Sequence, residues 1–532
     1  MRRAWLIRGA VYLALSVLLT WPLAASPGSV VPGADRTDLW NSLWSLWYVE
    51  DAVTSGALPW STTLLGHPHG GVLWPSDLVN AVLGLPLVAL FGPVLAWSLL
   101  VVGHVTASGL AAHGLSGSLG AGRGAWVAGV SWAMAPILVS GIHNGTSEAV
   151  VGVWLPLAVW GLVRAQRTGR WGAGAALLAL CAVSSWYAGV AAGFFWLGLL
   201  GLGPGRRGLV LAGLVGGLLA APIAVTSLSA SSHSENLVGI KGEHEVATVR
   251  RTIGSADWRG WFVPGDFRSP DFAVRSRYGE QFVHCHYLGW VLLGASGLVL
   301  VRRRGPVFLA VGGGLGVIAA MGPVVVMDGQ AVVVGGDMAL ALPWLAVERL
   351  PGLSSLSLLY RLAMAPSLAL ALLAAHASQR FAVPLAVLVA LELRLVSPAS
   401  SLPEVTPMPN NAALAYVASG PEGAVMNFPV VGGRAYLYEQ TVHGKPLAGT
   451  LNFPNNPASI AVWDSVLENE GLERERRLAR VQAVARQQGV RYVVLHEDPD
   501  ARPDHHDRAV ALLMESLSPA IVDGPIQVLV LW

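Results

Sequence analysis

The chain has 532 residues, of which 53% are hydrophobic and only 12% charged, and its formal net charge is +2. Soluble domains carry about 25% charged residues, so this composition together with long apolar runs predicts a polytopic α-helical membrane protein. A nucleic-acid-binding protein would show a clustered basic face, and none appears. The two cysteines, Cys181 and Cys285, are too few for a disulfide framework.

The first apolar run follows Arg2 and Arg3 and has the layout of either a cleaved signal peptide or a retained membrane helix. We interpret it as retained, because many further spans follow and need an inserted first one. Apolar runs long enough, or nearly so, to cross about 30 Å of hydrocarbon predict about eleven spans. These lie at about 10–26, 94–118, 125–140, 149–163, 172–187, 189–203, 208–228, 286–301, 305–323, 360–378 and 381–397.

Residues 78–91 form a shorter apolar segment that ends at Gly92 and Pro93. Basic connectors between spans are expected on the cytoplasmic side of the membrane. Every arginine cluster falls on that side only if this segment does not cross. We therefore predict a helix that dips into the membrane without crossing, a cytoplasmic N-terminus and an extracytoplasmic C-terminus.

This topology gathers the polar loops on the external side and divides the chain into two domains. Residues 1–398 would be the transmembrane domain, with a first external loop at 27–93, and residues 399–532 a soluble extracytoplasmic α/β domain. In the tail, "EGAVMNFPV" and "VRYVVLHED" predict strands, and residues 465–489 predict one helix. A terminal hairpin is predicted around Asp523 and Gly524.

The first external loop contains "GADRTDLWNSLWSLWYVEDAV", residues 33–53. Trp40, Trp44 and Trp47 share one face of a helix at this spacing. Because tryptophan favours the headgroup level, the pattern predicts a helix lying along the outer membrane surface. Asp38, just before it, is either a helix cap or a carboxylate that faces a lipid-borne substrate. The residues themselves leave both interpretations open.

Further polar groups lie at predicted external positions. "GIHNGTSEAVVGVWLPL" places His143 and Glu148 at the outer mouth of a span, as a functional site or as an ordinary surface loop. Arg361 lies at another outer mouth, where it would either pair with a lipid phosphate or extend to the headgroups. His67 and His69, with Asp77 nearby, are weak candidates for a metal site, because no third ligand stands at a diagnostic spacing.

Several stretches in this order resemble the GT-C superfamily of membrane glycosyltransferases, and a large bacterial group of GT-C-like proteins most of all. The stretches are "TDLWNSLWSLW", "HPHGGVLWPSDLVNAVLGLPL", "NGTSEAVVGVWLPL", "SLLYRLAMAPS" and "YEQTVHGKPLAG". The resemblance implies transfer of a sugar from a polyprenyl-phosphate carrier to an external acceptor with inversion. A glycan, a lipid or a protein could be that acceptor, and a bacterial inner (plasma) membrane is the implied location.

The same resemblance implies roles for individual residues. Asp38 would be the catalytic base, with Asp35 the less favoured choice, and Glu148 the acid of the second external loop. Arg361 would contact the lipid phosphate, and the remaining expected substrate contacts are Trp40, Trp44, His143 and Asp77. The family's adjacent acid pair or D-x-D is replaced by "DRTD". A divalent cation, Mg²⁺ or Mn²⁺, is therefore left open.

Two other functions remain compatible with the sequence. One is a transporter or flippase for a lipid-linked glycan, although the internal repeats typical of such folds are not evident. The other is a catalytically silent GT-C relative that acts in envelope assembly through its external tail.

Overall fold

The computed structural model of the protein describes most of the chain in atomic detail. The described residues are 2–73, 78–202, 205–231, 237, 243–263, 273–275, 281–335, 338–350, 353–354, 356–377, 379–396, 404–409, 412–429, 434–452, 456–497 and 506–532. Asp77, one of the predicted substrate contacts, lies outside them.

The first 396 residues are mainly helical. Their helices are α1 Arg2–Leu19, α2 Leu39–Thr54, α3 Leu78–Ser118, α4 Ala125–Ala133, α5 Pro136–His143, α6 Ser147–Val150, α7 Trp154–Thr168, α8 Gly172–Ser184, α9 Trp186–Leu202, α10 Arg206–Ser231, α11 Glu243–Arg250, α12 Trp290–Val301, α13 Val307–Ala320, α14 Trp344–Val347, α15 Met364–Ala374 and α16 Ala382–Leu395. Short strands lie between them, at β1 Val30–Pro32, β2 Ser61–Thr62, β3 Gly71–Val72, β4 Ala273–Arg275, β5 Gln281–Val283, β6 Val326–Met327, β7 Gln330–Ala331, β8 Val333–Val334 and β9 Met338–Ala339.

Apolar helices of membrane-spanning character are present in this part. Among the described residues, three helical segments are long and apolar enough to cross a bilayer: Leu78–Ser118, Gly122–His143 and Arg206–Thr226. Five further apolar helical segments are shorter. The protein is therefore a membrane protein, while the predicted count of about eleven spans and the predicted orientation stay predictions.

The helix α3 is broken at Gly92, whose φ of 74° lies in the left-handed region. A Cβ atom on Gly84 would lie 3.2 Å from the Leu100 side chain. Because Gly84 and Leu100 flank the break, the two halves of α3 fold back on each other. The segment 78–91 is thus a separate helix that ends at Gly92, as the sequence predicts; its failure to cross the membrane stays a prediction.

The first helix lies earlier in the chain than the predicted span at 10–26. It runs over Arg2–Leu19 and is followed by a turn and a short 3₁₀ segment, Leu23–Ala25. Pro22 explains the early end, because proline lacks an N–H donor and disfavours helical geometry in the residue before it. Arginines in the first turns can lay their alkyl chains along an apolar helix while the guanidinium groups stay in water. Their charge therefore does not prevent the helix from beginning at Arg2.

The tail forms an α/β unit around a four-stranded sheet. The strands of the tail are β10 Val405–Pro407, β11 Ala424–Phe428, β12 Val490–His496, β13 Ile521–Asp523 and β14 Ile526–Val530, and all but β10 belong to this sheet. The sheet order is β11-β12-β14-β13, in which β11 and β12 are parallel and the other pairings antiparallel. Both predicted strands and the terminal hairpin are present.

The tail helices cover both faces of this sheet. They are α17 Ala412–Ser419, α18 Ala435–His443, α19 Pro457–Glu468, α20 Arg474–Gln488 and α21 Asp507–Ser516. The single helix expected over 465–489 is wrong, because α19 ends at Glu468 and α20 begins only at Arg474. The intervening Gly471 disfavours an uninterrupted helix. As predicted, α20 stops at a glycine, Gly489, in the left-handed conformation.

Side chains alternate across the sheet and so enter two different cores. Met426 and Val493 pack with helices α19 to α21. Val425 and Val494, which are the chain neighbours of these two residues, belong to a core shared with α2 and α18. This alternation follows from the two-residue period of a strand. The first external loop and the tail therefore fold as one body, and the antiparallel pairing of β1 with β10 joins them a second time.

Candidate functional site

The aromatic face of α2 contacts protein rather than lipid headgroups. Trp40 and Trp44 are buried, with 2% and 1% of their surface exposed. Trp44 donates from Nε1 to Oε1 of Gln440 in α18 at 2.7 Å, and Trp40 packs against Tyr438 with ring centroids 5.6 Å apart. The prediction that these rings lie at the membrane surface is wrong, because α18 of the tail covers them.

The start of α2 is held by backbone contacts against residues 141–148, the predicted second external loop. The Asp38 amide donates to the Asn144 carbonyl at 3.1 Å, and Ser42 Oγ donates to the Gly145 carbonyl at 2.6 Å. Gly145 has a φ of +58°, and a Cβ there would lie 2.5 Å from the Leu39 Cα. Only glycine allows this approach, which brings the acid of the first loop next to Thr146 and Glu148.

Asp38 stands at the N-cap position of α2, but its side chain makes no capping hydrogen bond. Its Oδ1 instead accepts from Arg434 Nη1 at 2.5 Å, and its Oδ2 accepts from the Thr146 hydroxyl at 3.2 Å. The helix-cap interpretation is therefore wrong. Thr146 belongs to the second external loop and Arg434 to the tail, so three distant parts of the chain meet at this carboxylate.

Glu148 and Arg361 form a buried ion pair beside Asp38. Arg361 Nη1 donates to Glu148 Oε1, and the guanidinium lies over the Tyr187 ring at 5.4 Å from its centroid. Only 7% of Arg361 is exposed, so it does not extend to the headgroups. Asp38, Glu148, Arg361 and Arg434 are called the acid–arginine cluster from here on.

The carboxylates of the cluster differ in environment. Burial raises the pKa of Glu148 above its usual range, the Arg361 charge opposes this, and the nearby Asp38 charge adds to it. The side chain of Asp38 is 26% exposed, against 17% for Glu148. Asp38 is therefore the more accessible of the two carboxylates, although each is paired with an arginine.

A third loop closes the cluster on one side. The Asn144 side chain donates to the Val283 carbonyl and accepts from the Val283 amide, both at 2.8 Å. His284, the next residue, stacks on Tyr360 with ring centroids 4.2 Å apart. Asn144, Tyr360 and Arg361 also line a small cavity. Its volume is only about 10 Å³, room for about one water molecule beside the arginine.

Asp35 belongs to a neighbouring but different group. Its Oδ1 accepts from Trp40 Nε1 at 2.9 Å. Its charge contributes, after burial, to raising the pKa values of Glu404 and Glu439. Glu439 in turn lies 3.4 Å from His496. Asp35 is thereby engaged in positioning an aromatic ring, whereas Asp38 lies against the second loop.

The remaining predicted residues lie apart from the acid–arginine cluster or contribute backbone groups. The His143 carbonyl accepts from the Ala34 amide at 2.7 Å. His67 packs against the tail, where a Cβ on Gly489 would lie 2.5 Å from its Nε2, and burial lowers its pKa. His69 is exposed. In the described part of the chain, no three His, Cys, Asp or Glu residues come together as metal ligands.

The acids of the cluster therefore do not fit a divalent cation as the structure has them. Asp38 and Glu148 each have an arginine as their charged partner. A carboxylate that binds an arginine has fewer lone pairs for a hard cation, which prefers six or more oxygen ligands for Ca²⁺ and near-octahedral geometry for Mg²⁺. The arginines supply the positive charge in this cluster.

Arg434 and Thr146 were not identified from the sequence. Arg434 follows two glycines and directly precedes α18, in "VVGGRAYLYEQ". A basic residue at a helix start is unusual, because the N-terminus of a helix carries partial positive charge. That mismatch is the one local signal that could have singled out Arg434.

Comparisons with known proteins bear on the fold. No protein-family model and no curated protein matches the sequence. Among solved structures, the chain is similar to the archaeal oligosaccharyltransferase AglB from Archaeoglobus fulgidus in complex with an inhibitory peptide and a dolichol-phosphate. The TM-score is 0.51 at 12% identity, over 93% of this chain and 70% of that one. The same oligosaccharyltransferase in complex with Zn and sulfate gives 0.52 at 12%, over 92% and 68%.

A second similar structure is the arabinofuranosyltransferase AftD from Mycobacteria. The TM-score is 0.53 at 16% identity, and the match covers all of this chain, 100%, but only 40% of that one. At such identities the likeness shows the fold alone. The resemblance to the GT-C superfamily is confirmed at that level: the chain has the fold of GT-C membrane glycosyltransferases.

Proposed function

We propose that the protein transfers a sugar from a polyprenyl-phosphate carrier to an extracytoplasmic acceptor with inversion, and that Asp38 is the general base. The observation that carries this proposal is the placing of Asp38. It is a partly exposed carboxylate beside two arginines on a GT-C fold. The likeness to enzymes whose names state glycosyl transfer, one of them bound to a dolichol-phosphate, supports the substrate class.

The chemistry is a single displacement at the anomeric carbon. The acceptor hydroxyl donates its proton to Asp38 as its oxygen forms a bond to that carbon. The bond from the carbon to the phosphate oxygen breaks, and the lipid phosphate leaves with the electron pair. Attack from the face opposite the leaving group inverts the configuration. Both Asp38 oxygens are engaged, but a carboxylate has about four acceptor positions, so room for the hydroxyl remains.

The two arginines would act on the phosphate. A planar guanidinium matches phosphate oxygens in pairs of hydrogen bonds, and it stabilises the charge that develops on the leaving group. Arg361 is fixed by Glu148 and by Tyr187. Arg434 is more exposed, at 14% of its side chain against 9% for Arg361, so it is the better placed to exchange its carboxylate for an incoming phosphate.

The test is transfer by the full chain purified into lipid nanodiscs, with several labelled polyprenyl-phosphate sugars and a cell-envelope extract as acceptor. We expect Asp38→Asn to lower the rate by about 10²–10⁴-fold, the usual contribution of a general base. Asp464→Asn, an exposed aspartate of α19, is the matched control and should transfer normally. Arg434→Gln should lower the rate too, and Arg434→Lys should restore only part of it, since lysine cannot form the paired contact.

Normal transfer by Asp38→Asn, with unchanged elution on size exclusion, would rule out Asp38 as the base. A wild-type protein that moves labelled lipid between leaflets without transferring sugar would instead support the transporter. A protein with neither activity would support the catalytically silent relative.

A further inference from the structure

A second cavity lies at the opposite end of the helical bundle from the acid–arginine cluster. Its volume is about 1000 Å³, at the upper end of the range of ligand pockets. Arg361 begins the segment that leads through α15 to His376, which lines this cavity. At 1.5 Å per residue the two sites are roughly 20 Å apart. We call it the arginine-lined cavity.

The cavity lies between two antiparallel helices. Glu392, near the end of α16, accepts hydrogen bonds from the Trp290 and Val291 amides at the start of α12. That contact joins the helices at their external ends. The cavity opens between their other ends, where Leu298 of α12 and Leu385 of α16 form part of its wall.

Three arginines converge on this cavity from two separate connections. Arg302 and Arg304 follow α12, and Arg380 precedes α16. All three are exposed, and no acidic side chain of the described chain pairs with any of them. Unpaired cations at the mouth of an apolar cleft favour an anionic ligand with an apolar part.

The adjacent Arg303 is a natural contrast. It is exposed and has the same charge, but it does not line the cavity and has a left-handed φ of 51°. If this basic loop served only to orient the membrane helices, its arginines would be equivalent, because only their charge would matter. Here the neighbours on either side of Arg303 face a cleft whose opposite side carries a third arginine.

We propose that the arginine-lined cavity binds an anionic phospholipid of the membrane leaflet on that side. Arg302, Arg304 and Arg380 hold the headgroup phosphate, and the acyl chains lie along α12 and α16. The predicted topology makes this the cytoplasmic leaflet, where anionic headgroups are found between membrane helices. The site is separate from sugar transfer, so it does not depend on the proposed function.

The test is lipid retention by the full chain. The protein in detergent is incubated with phosphatidylglycerol, phosphatidylcholine or inorganic phosphate, and bound lipid is counted by native mass spectrometry. We expect phosphatidylglycerol to be retained at least tenfold better than phosphatidylcholine, and Arg380→Gln to lose at least tenfold of that binding. Arg303→Gln, which removes the same charge, should bind as the wild type does.

A second variant fills the cleft without removing charge. Gly294 lines the cavity, and a Cβ there would meet nothing within 4 Å, so Gly294→Leu should fold normally and expel the acyl chain. Equal losses in Arg303→Gln and Arg380→Gln would overturn the proposal, as would full binding by Gly294→Leu. Displacement of the lipid by millimolar inorganic phosphate alone would also overturn it, because the site would then recognise a soluble anion.

Discussion

The buried pair of Glu148 and Arg361 can be tested by a double-mutant cycle in which only one of the two single variants should depend on pH. Removing one partner of a buried ion pair costs about 3–5 kcal/mol, because the other charge stays buried without compensation. Unfolding entropy is about 2.1 cal/mol/K per residue, which over the 532 residues is about 1.1 kcal/mol/K. Arg361→Gln or Glu148→Gln should therefore lower the apparent Tm by about 3–5 °C at neutral pH.

The two single variants should respond differently to pH. In Arg361→Gln, burial raises the pKa of Glu148 with no cation to oppose it. A carboxyl with a raised folded pKa stabilises the protein fully below its unfolded pKa of about 4.3, and this stability is lost as the pH rises through the folded value. The Tm deficit should thus shrink toward about pH 5. In Glu148→Gln the arginine stays charged throughout, so its deficit should not change.

The assay is thermal unfolding of the purified chain in detergent, followed by tryptophan fluorescence at several pH values. The double variant Glu148→Gln/Arg361→Gln should recover part of the stability, with a coupling energy of about 0.5–3 kcal/mol. The ion pair as described would be refuted if the stability losses of the two single variants simply added in the double variant. It would also be refuted if the Tm loss of Arg361→Gln did not vary with pH.

Two further substitutions test how the tail is held on the first external loop. Trp44→Phe should cost about 1–3 kcal/mol by leaving a buried acceptor in α18 unsatisfied. Trp47→Phe should lower the Tm less, because the Trp47 indole makes no hydrogen bond to any residue that the structure describes. Gly489→Ala should destabilise more than Gly444→Ala in the same thermal assay. Both glycines have a left-handed φ, of 69° and 68°, but only at Gly489 would the added methyl meet His67.

Much of the fold could be predicted from the sequence because it depends on local signals. Apolar runs marked the apolar helices, and Gly92 and Gly489 marked real helix ends. Where helix boundaries differ from those predicted, a local signal in the sequence accounts for the difference. Pro22 ends the first helix early, and Pro136 starts α5 inside a run predicted as one span. Charge patterns further predict an orientation, which needs a membrane to be tested.

The site was predictable only in part, because periodicity shows which residues share a face and not what covers that face. The spacing of Trp40 and Trp44 correctly groups them, but lipid and a protein helix are both apolar partners. Asp38 was identified as a candidate, yet its partner Arg434 is 396 residues away, and no local pattern connects them. The pairing of Glu148 with Arg361 spans 213 residues and is equally invisible locally.

The position of Arg434 also changes how the competing functions can be distinguished. From the sequence alone, deletion of the tail would separate an assembly protein from an enzyme, because the predicted base lies in the first loop. In the structure the tail supplies Arg434 to Asp38 and covers Trp44, so its deletion would disable both kinds of protein. Only substitutions that keep the tail in place can discriminate. Loss of transfer in Asp38→Asn, measured at a temperature where the variant is still fully folded, is expected of an enzyme and not of a scaffold.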